Sequence, residues 1–116
     1  MKSLITVIAF VACSISLSHA DAAAAKSSAE YAYSYAKKGM NSDTLENAIY
    51  YAKKAMSSAE DARSEAEESK LDDAVSHAEE AYGYAKKAYR SDDFDEAIRY
   101  LKKAKSAADD TISACQ

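Results

Sequence analysis

Chemistry-bearing side chains are scarce in this 116-residue sequence, and the densest group of them surrounds His77. Asp73 precedes His77 by four residues and Glu80 follows it by three, spacings that put all three side chains on one helix face. An imidazole with two carboxylates is a donor set for Zn²⁺, Cu²⁺ or Ni²⁺. Three ligands from one helix leave the coordination sphere open, so a neighbouring helix or water must complete it. A solvated surface histidine among acidic neighbours is the other reading of the same residues. Met40 and Met56 are soft donors of the kind Cu(I) takes, but both fall on apolar stripes, where filling a core is their ordinary role.

Material for catalysis is thinner still. No Gly-rich phosphate loop, no G-x-S-x-G and no H-E-x-x-H occurs. The Glu-x-x-His pair of di-iron bundles is absent too, because Ala74 stands three residues before His77. Adjacent carboxylates such as Asp72-Asp73, Glu79-Glu80 and Asp109-Asp110 are frequent and read as surface charge. The expectation is a protein that is not an enzyme, with no catalytic residues. A net charge of −4 without a basic block makes nucleic acid a poor partner. Cys115, one residue from the C-terminus, reads in an oxidising compartment as either an intermolecular disulfide, giving a homodimer through Cys115, or a free reactive thiol.

That compartment is inferred from the first twenty residues. Lys2 supplies a positive start, residues 4–17 an apolar core, and Ser18-His19-Ala20 small residues at −3 and −1 before Asp21. This is the pattern of a secretory signal peptide over 1–20, followed by a domain over 21–116 in the periplasm or outside the cell. The apolar run is short of the ~20 residues a membrane-spanning helix needs, so no membrane span is expected. Lipoprotein processing at Cys13 is the other alternative, with Phe10 where a lipobox prefers Leu.

The elements that must position His77 are helices. After the leader there are 23 Ala, two Gly and no Pro, and only eight residues of the Leu, Ile, Val and Phe set. Such a chain favours helix and all but excludes sheet. Residues 35–62 align with 84–111 at an offset of 49, with 15 of 28 positions identical, so a tandem duplication is expected, repeat one over 21–69 and repeat two over 70–116. Apolar spacing and punctuation predict helices over 22–40, 44–67, 71–89 and 94–113. Gly39 reads as a helix stop, Asn41-Ser42-Asp43 as a run of caps with Glu46 three residues after Asp43, and Ser69 as the cap of the third helix. Short joints make successive helices antiparallel. The expected fold is all-α, an up-down-up-down antiparallel four-helix bundle built from two αα-hairpins.

The stripes are dominated by alanine, so tyrosine rings must carry much of the burial, with hydroxyls at the rim. Some of the nine tyrosines, Tyr31, Tyr35, Tyr50 and Tyr51 among them, alternatively form an aromatic contact surface. A tetrad recurs once per helix, as Tyr35-Ala36-Lys37-Lys38, Tyr51-Ala52-Lys53-Lys54, Tyr84-Ala85-Lys86-Lys87 and Tyr100-Leu101-Lys102-Lys103. Its lysines read either as a display for an anionic partner or as a solvated face paired with nearby Glu and Asp.

The stretch His77-Ala78-Glu79-Glu80-Ala81, its counterpart Ser28-Ala29-Glu30-Tyr31-Ala32 and the following Lys37-Lys38-Gly39 resemble the small metal-binding proteins of the bacterial periplasm. That resemblance covers nearly the whole chain after the leader. It implies a four-helix bundle whose histidines bind copper and other divalent metals. Where that family repeats histidine, this chain has Ser28, Tyr35, Met40 and Asn47 in one copy and Tyr84, Tyr89 and Glu96 in the other. Only His77 carries over as a ligand, and a phenol that ionises near ~10 is a poor substitute. The expected function is weak binding or buffering of a divalent ion (copper, nickel or zinc) by His77, Asp73 and Glu80. The alternative is a protein-interaction or envelope-stress module on the same bundle without metal.

Overall fold

The computed structural model describes residues 22–116. The signal peptide expected over 1–20 lies outside the described residues. Four helices follow one another, α1 over 22–40, α2 Leu45–Glu68, α3 Asp72–Tyr89 and α4 Phe94–Ala114, with no strand among the described residues. They form an up-down-up-down antiparallel four-helix bundle of two αα-hairpins. α2 lies along α3 and α3 along α4, while α2 and α4 meet across the diagonal. α1 closes the ring, with Ala36 in the same apolar cluster as alanines of the other three helices. Among the described residues no helix is long and apolar enough to cross a membrane.

Helix ends follow the punctuation with local differences. α2 is capped by Thr44, not Asp43, and the Thr44 hydroxyl accepts the Asn47 N–H at 3.2 Å. Asp93 does the same for Glu96 at the start of α4. Ser69 does not cap α3. It closes α2 instead, its Oγ donating to the Glu65 carbonyl at 3.0 Å. The next residue, Lys70, takes a positive φ of 59°, and the Leu71 N–H reaches back to the Ala66 carbonyl. That is a Schellman closure with lysine where glycine is usual. α3 starts at Leu71 without any side-chain cap, so its first turn relies on Asp72 and Asp73 against the helix dipole.

Every fully buried seam position but one is alanine, threonine or glycine. On α2 the buried residues are Ala48, Ala52, Ala55, Ala59, Ala62 and Ala66, an unbroken alternation of four and three. α1 repeats it through Ala25, Ala29, Ala32 and Ala36, and α3 through Ala74, Ala78, Ala81, Ala85 and Ala88. These are the two inward positions of a heptad, and methyl groups there let helix backbones approach closely. The stack is layered, with Ala25, Ala66 and Ala74 in one cluster and Ala32, Ala59, Ala81 and Ala108 in another. The larger apolar side chains on the same helices, Leu45, Met56, Phe94 and Ile98 among them, are only partly buried and pack against its flanks. Tyr33, Tyr35, Tyr82 and Tyr84 sit there too, as the rim role requires, whereas Tyr31 and Tyr50 are 60% and 55% exposed. Thr111, buried in the α4 seam, satisfies its hydroxyl by donating to the Ala107 carbonyl at 2.8 Å.

The exception among the seam residues is Leu101, which is fully buried. Its place in the first hairpin is held by Ala52, 49 residues earlier. What makes room for the extra carbons is Gly39, which is helical rather than the stop its type suggested, and has no positive φ. A Cβ at Gly39 would stand 2.9 Å from Leu101 Cδ1 and 3.1 Å from Tyr51 Cβ. The second hairpin has Ala88 at the position of Gly39. One large residue thus faces one missing methyl in hairpin one, and the equivalent positions, Ala52 and Ala88, are both alanine. The swap distinguishes the hairpins and fixes how α4 sits on α1.

This complementarity predicts a sign reversal. Gly39→Ala gains at most about 1 kcal/mol of helix propensity but overpacks the seam at a cost of roughly 1–3 kcal/mol. It should therefore lower the melting temperature in the native background. Leu101→Ala should cost about 2–5 kcal/mol. In that background Gly39→Ala should become neutral or stabilising, as a double-mutant cycle followed by thermal denaturation will show.

Candidate functional site

His77 projects from the middle of α3 with its side chain 37% exposed. Its Nδ1 is enclosed and has no hydrogen-bond partner, and the nearest carboxylate oxygen is Glu80 Oε1 at 3.9 Å. That distance is outside hydrogen-bonding range, so the two side chains are neighbours without a bond between them. Asp73 is exposed in the first turn of α3. Among the described residues no three or more His, Cys, Asp or Glu side chains are grouped so as to hold a metal ion. The structure therefore brings Glu80 towards His77 and leaves Asp73 outside the pair.

The unpaired imidazole follows from the differences between the hairpins. Ser28 is the counterpart of His77 in hairpin one, and its hydroxyl donates to Glu65 across the α1–α2 seam. The counterpart of Glu65 in hairpin two is Ala114. Histidine thus replaces serine in hairpin two, while the carboxylate that would have met it is replaced by a methyl group. An isolated polar nitrogen of this kind is uncommon, because burial without a partner costs free energy.

The lysines of the repeated tetrads do not pair with carboxylates. The ion pairs among the described residues join Arg63 to Glu60 and to Glu67. The hydrogen bond from Arg63 holds the Glu60 carboxyl below its ordinary range. The last lysine of each tetrad lies over tyrosine instead. Lys38 and Lys54 both approach the Tyr35 ring, at 5.8 and 5.7 Å, and Lys87 and Lys103 both approach Tyr84, at 5.7 and 5.6 Å. Each contact is worth about 0.5–1 kcal/mol at an exposed site. Most of these lysines are exposed, so the face is solvated as one of the two readings has it, while contact with tyrosine rings replaces the pairing with nearby acids. The tetrads form two equivalent Tyr–Lys clasps, one across each hairpin, because the lysine stems lie along the rings and the ring faces attract the ammonium groups.

Surface concavities border the tetrads and Asp73 rather than His77: one of about 580 Å³ is lined by Lys37, Lys38 and Tyr51, and a smaller one by Asp72 and Asp73. A shallow groove of about 680 Å³ runs beside Glu30, Tyr33, Asp109 and Ile112, away from His77. Cys115 caps α4 and packs with Leu71 and Val75 against Ala25, Ala66 and Ala74, so it is half-buried rather than free at the terminus. Burial pushes its thiol above the ordinary value, opposed by Lys26 and assisted by Glu65. At neutral pH the thiolate that would attack a disulfide or an alkylating agent is therefore depleted.

Two outcomes follow for Cys115. Iodoacetamide should modify it more slowly in the folded protein than in the chain unfolded in urea at the same pH. The folded thiol is the harder to ionise, so folding stability should fall as pH rises above about 8.5, where the unfolded thiol loses its proton. Cys115→Ser should remove that decline, as urea denaturation at several pH values will show. No protein-family model, no curated protein and no solved structure matches this chain.

Proposed function

We propose that this is an exported, non-enzymatic helical bundle that binds one divalent ion weakly through His77 and Glu80. The observation that carries the reading is the imidazole nitrogen without a partner, beside a carboxylate 3.9 Å away. A divalent cation or its bound water is the kind of group that satisfies both. Imidazole with carboxylate favours copper, nickel or zinc over magnesium or calcium. The resemblance of His77-Ala78-Glu79-Glu80-Ala81 to a periplasmic metal-binding motif supports the same assignment. The leader over residues 1–20 supports export to the periplasm or beyond.

The geometry also bounds the function. Two protein ligands leave at least two positions of a tetrahedral ion to water. Asp73 is four residues before His77 and is a candidate third ligand after a side-chain rotation. Exchange is then fast and affinity modest, and the capacity is one ion per chain. That is the behaviour of a buffer or a transient carrier rather than a store.

Calorimetric titration of the mature protein with Cu²⁺, Ni²⁺ and Zn²⁺ tests this. One site is expected, with Kd no tighter than roughly micromolar. His77→Ala should abolish it, Glu80→Gln should weaken it about tenfold, and Asp73→Asn should have a smaller effect. No heat of binding for any of the three ions, with a melting curve unchanged by metal, contradicts the assignment.

A further inference from the structure

The two hairpins share a scaffold but not an outer surface. Across the α1–α2 seam run the Ser28–Glu65 contact towards one end and the Lys54–Tyr35 contact towards the other. Tyr31 stacks on Tyr35, Lys54 lies over both Tyr35 and Tyr50, and Tyr50 meets Tyr51 edge to face. This makes a continuous aromatic strip at the end of the seam nearer the α1–α2 loop. Its outer members, Tyr31 and Tyr50, are more than half exposed. In hairpin two the counterparts of Tyr31 and Tyr50 are Glu80 and Arg99, so the strip is confined to one face of the bundle. Exposed rings add little to the stability of the monomer. Tyrosine set among serines is instead the composition of surfaces that dock to other proteins.

We infer that the α1–α2 face pairs two copies of this chain side by side in antiparallel orientation. The sign pattern along the face selects this occupant. Lys38 and Lys54 flank the aromatic end. At the other end the exposed Asp61 and Glu68 stand four residues before and three after Glu65, on the same side of α2. Between the two ends α2 presents Ser57 and Ser64, side chains small enough for a second helix pair to come close. A partner of one charge sign meets its own sign at one end. A second copy rotated by half a turn meets the opposite sign at both, and the contact closes on itself without continuing into a filament.

Size sets the strength. α1 spans 19 described residues, roughly 28 Å of helix at about 1.5 Å per residue, and two helices side by side are about 20 Å wide. Such a face buries on the order of 1,100 Å² in total, at the lower limit for a specific interface. The dimer is accordingly weak and sensitive to salt. It is also independent of the cysteine. Cys115 lies at the end of the bundle far from the aromatic strip, beside Ala25 and Ala66, so antiparallel pairing holds the two thiols apart. Nor does the pairing depend on His77, which belongs to the other hairpin.

Sedimentation velocity on the protein as processed by its expression host, in a Cys115→Ser background and without added metal, tests the inference. A reversible monomer–dimer equilibrium in the micromolar range is expected at low ionic strength, shifting to monomer in 0.5 M salt. Lys38→Glu with Lys54→Glu should weaken it at least tenfold, and so should Asp61→Lys with Glu68→Lys. Combining all four substitutions should restore at least half of the lost association, because the signs again complement each other. Tyr31→Ser should weaken it without changing the helical circular dichroism, and His77→Ala should leave it unaltered. A protein that stays monomeric at low salt up to millimolar concentration overturns the inference. So does an association that the charge reversals leave unchanged, or one that the fourfold variant fails to regain.

Discussion

Methyl groups set the spacing of this bundle. With alanine at nearly every inward heptad position of four helices, the side chains between the backbones are single methyl groups, which permit close helix approach. A leucine core holds helices apart and fills the gap with side chains. Here the gap is largely removed. Each alanine withdraws little apolar area from water, so much of the burial comes from close backbone approach and from larger residues packed along the grooves outside. The one position that departs, Leu101, requires an equal and opposite departure at Gly39. A core with no slack admits a large residue only where a facing residue gives up its Cβ.

The same constraint decides where chemistry can occur. A seam lined almost wholly by alanine offers few polar or reactive groups. Tyrosine, lysine, histidine and carboxylate are therefore placed on the flanks and the outer surface, where they interact with one another. The four Tyr–Lys tetrads become two clasps over the hairpins, and His77 stands at a flank where its counterpart serine has a partner and it has none. The two hairpins are free to diverge in those groups while the interior stays the same.

The fold was legible in the sequence because heptad spacing and the absence of proline are local signals. The helix ends were nearly so. Thr44 rather than Asp43 caps α2, since two neighbouring residues offer an oxygen and only the chain's exit angle chooses between them. Gly39 was misread because a glycine near a helix end is usually a stop, and its reason for being there lies on α4, 62 residues away. The alanine core was legible, but the place of the larger apolar residues was not. Leu45, Met56 and Ile98 share the stripe with alanine in sequence, and only the close approach of the helices pushes them to its edge. At the candidate site, helical spacing placed Asp73, His77 and Glu80 on one side of α3, and the side-chain conformations bring only Glu80 near His77. The tetrads were visible as a repeat, but the preference of lysine for tyrosine faces over nearby acids depends on which residues stand across each seam.

Enlarging one interior methyl tests this account most directly. Ala59 is buried in the layer that also holds Ala32, Ala81 and Ala108. In an underfilled core, Ala59→Leu would bury more apolar surface and raise stability. In a seam already closed to backbone distance it has no space, and it should cost about 1–3 kcal/mol in urea denaturation, with the helix content retained. A variant as stable as the native protein, or more so, contradicts the claim that alanine sets the spacing.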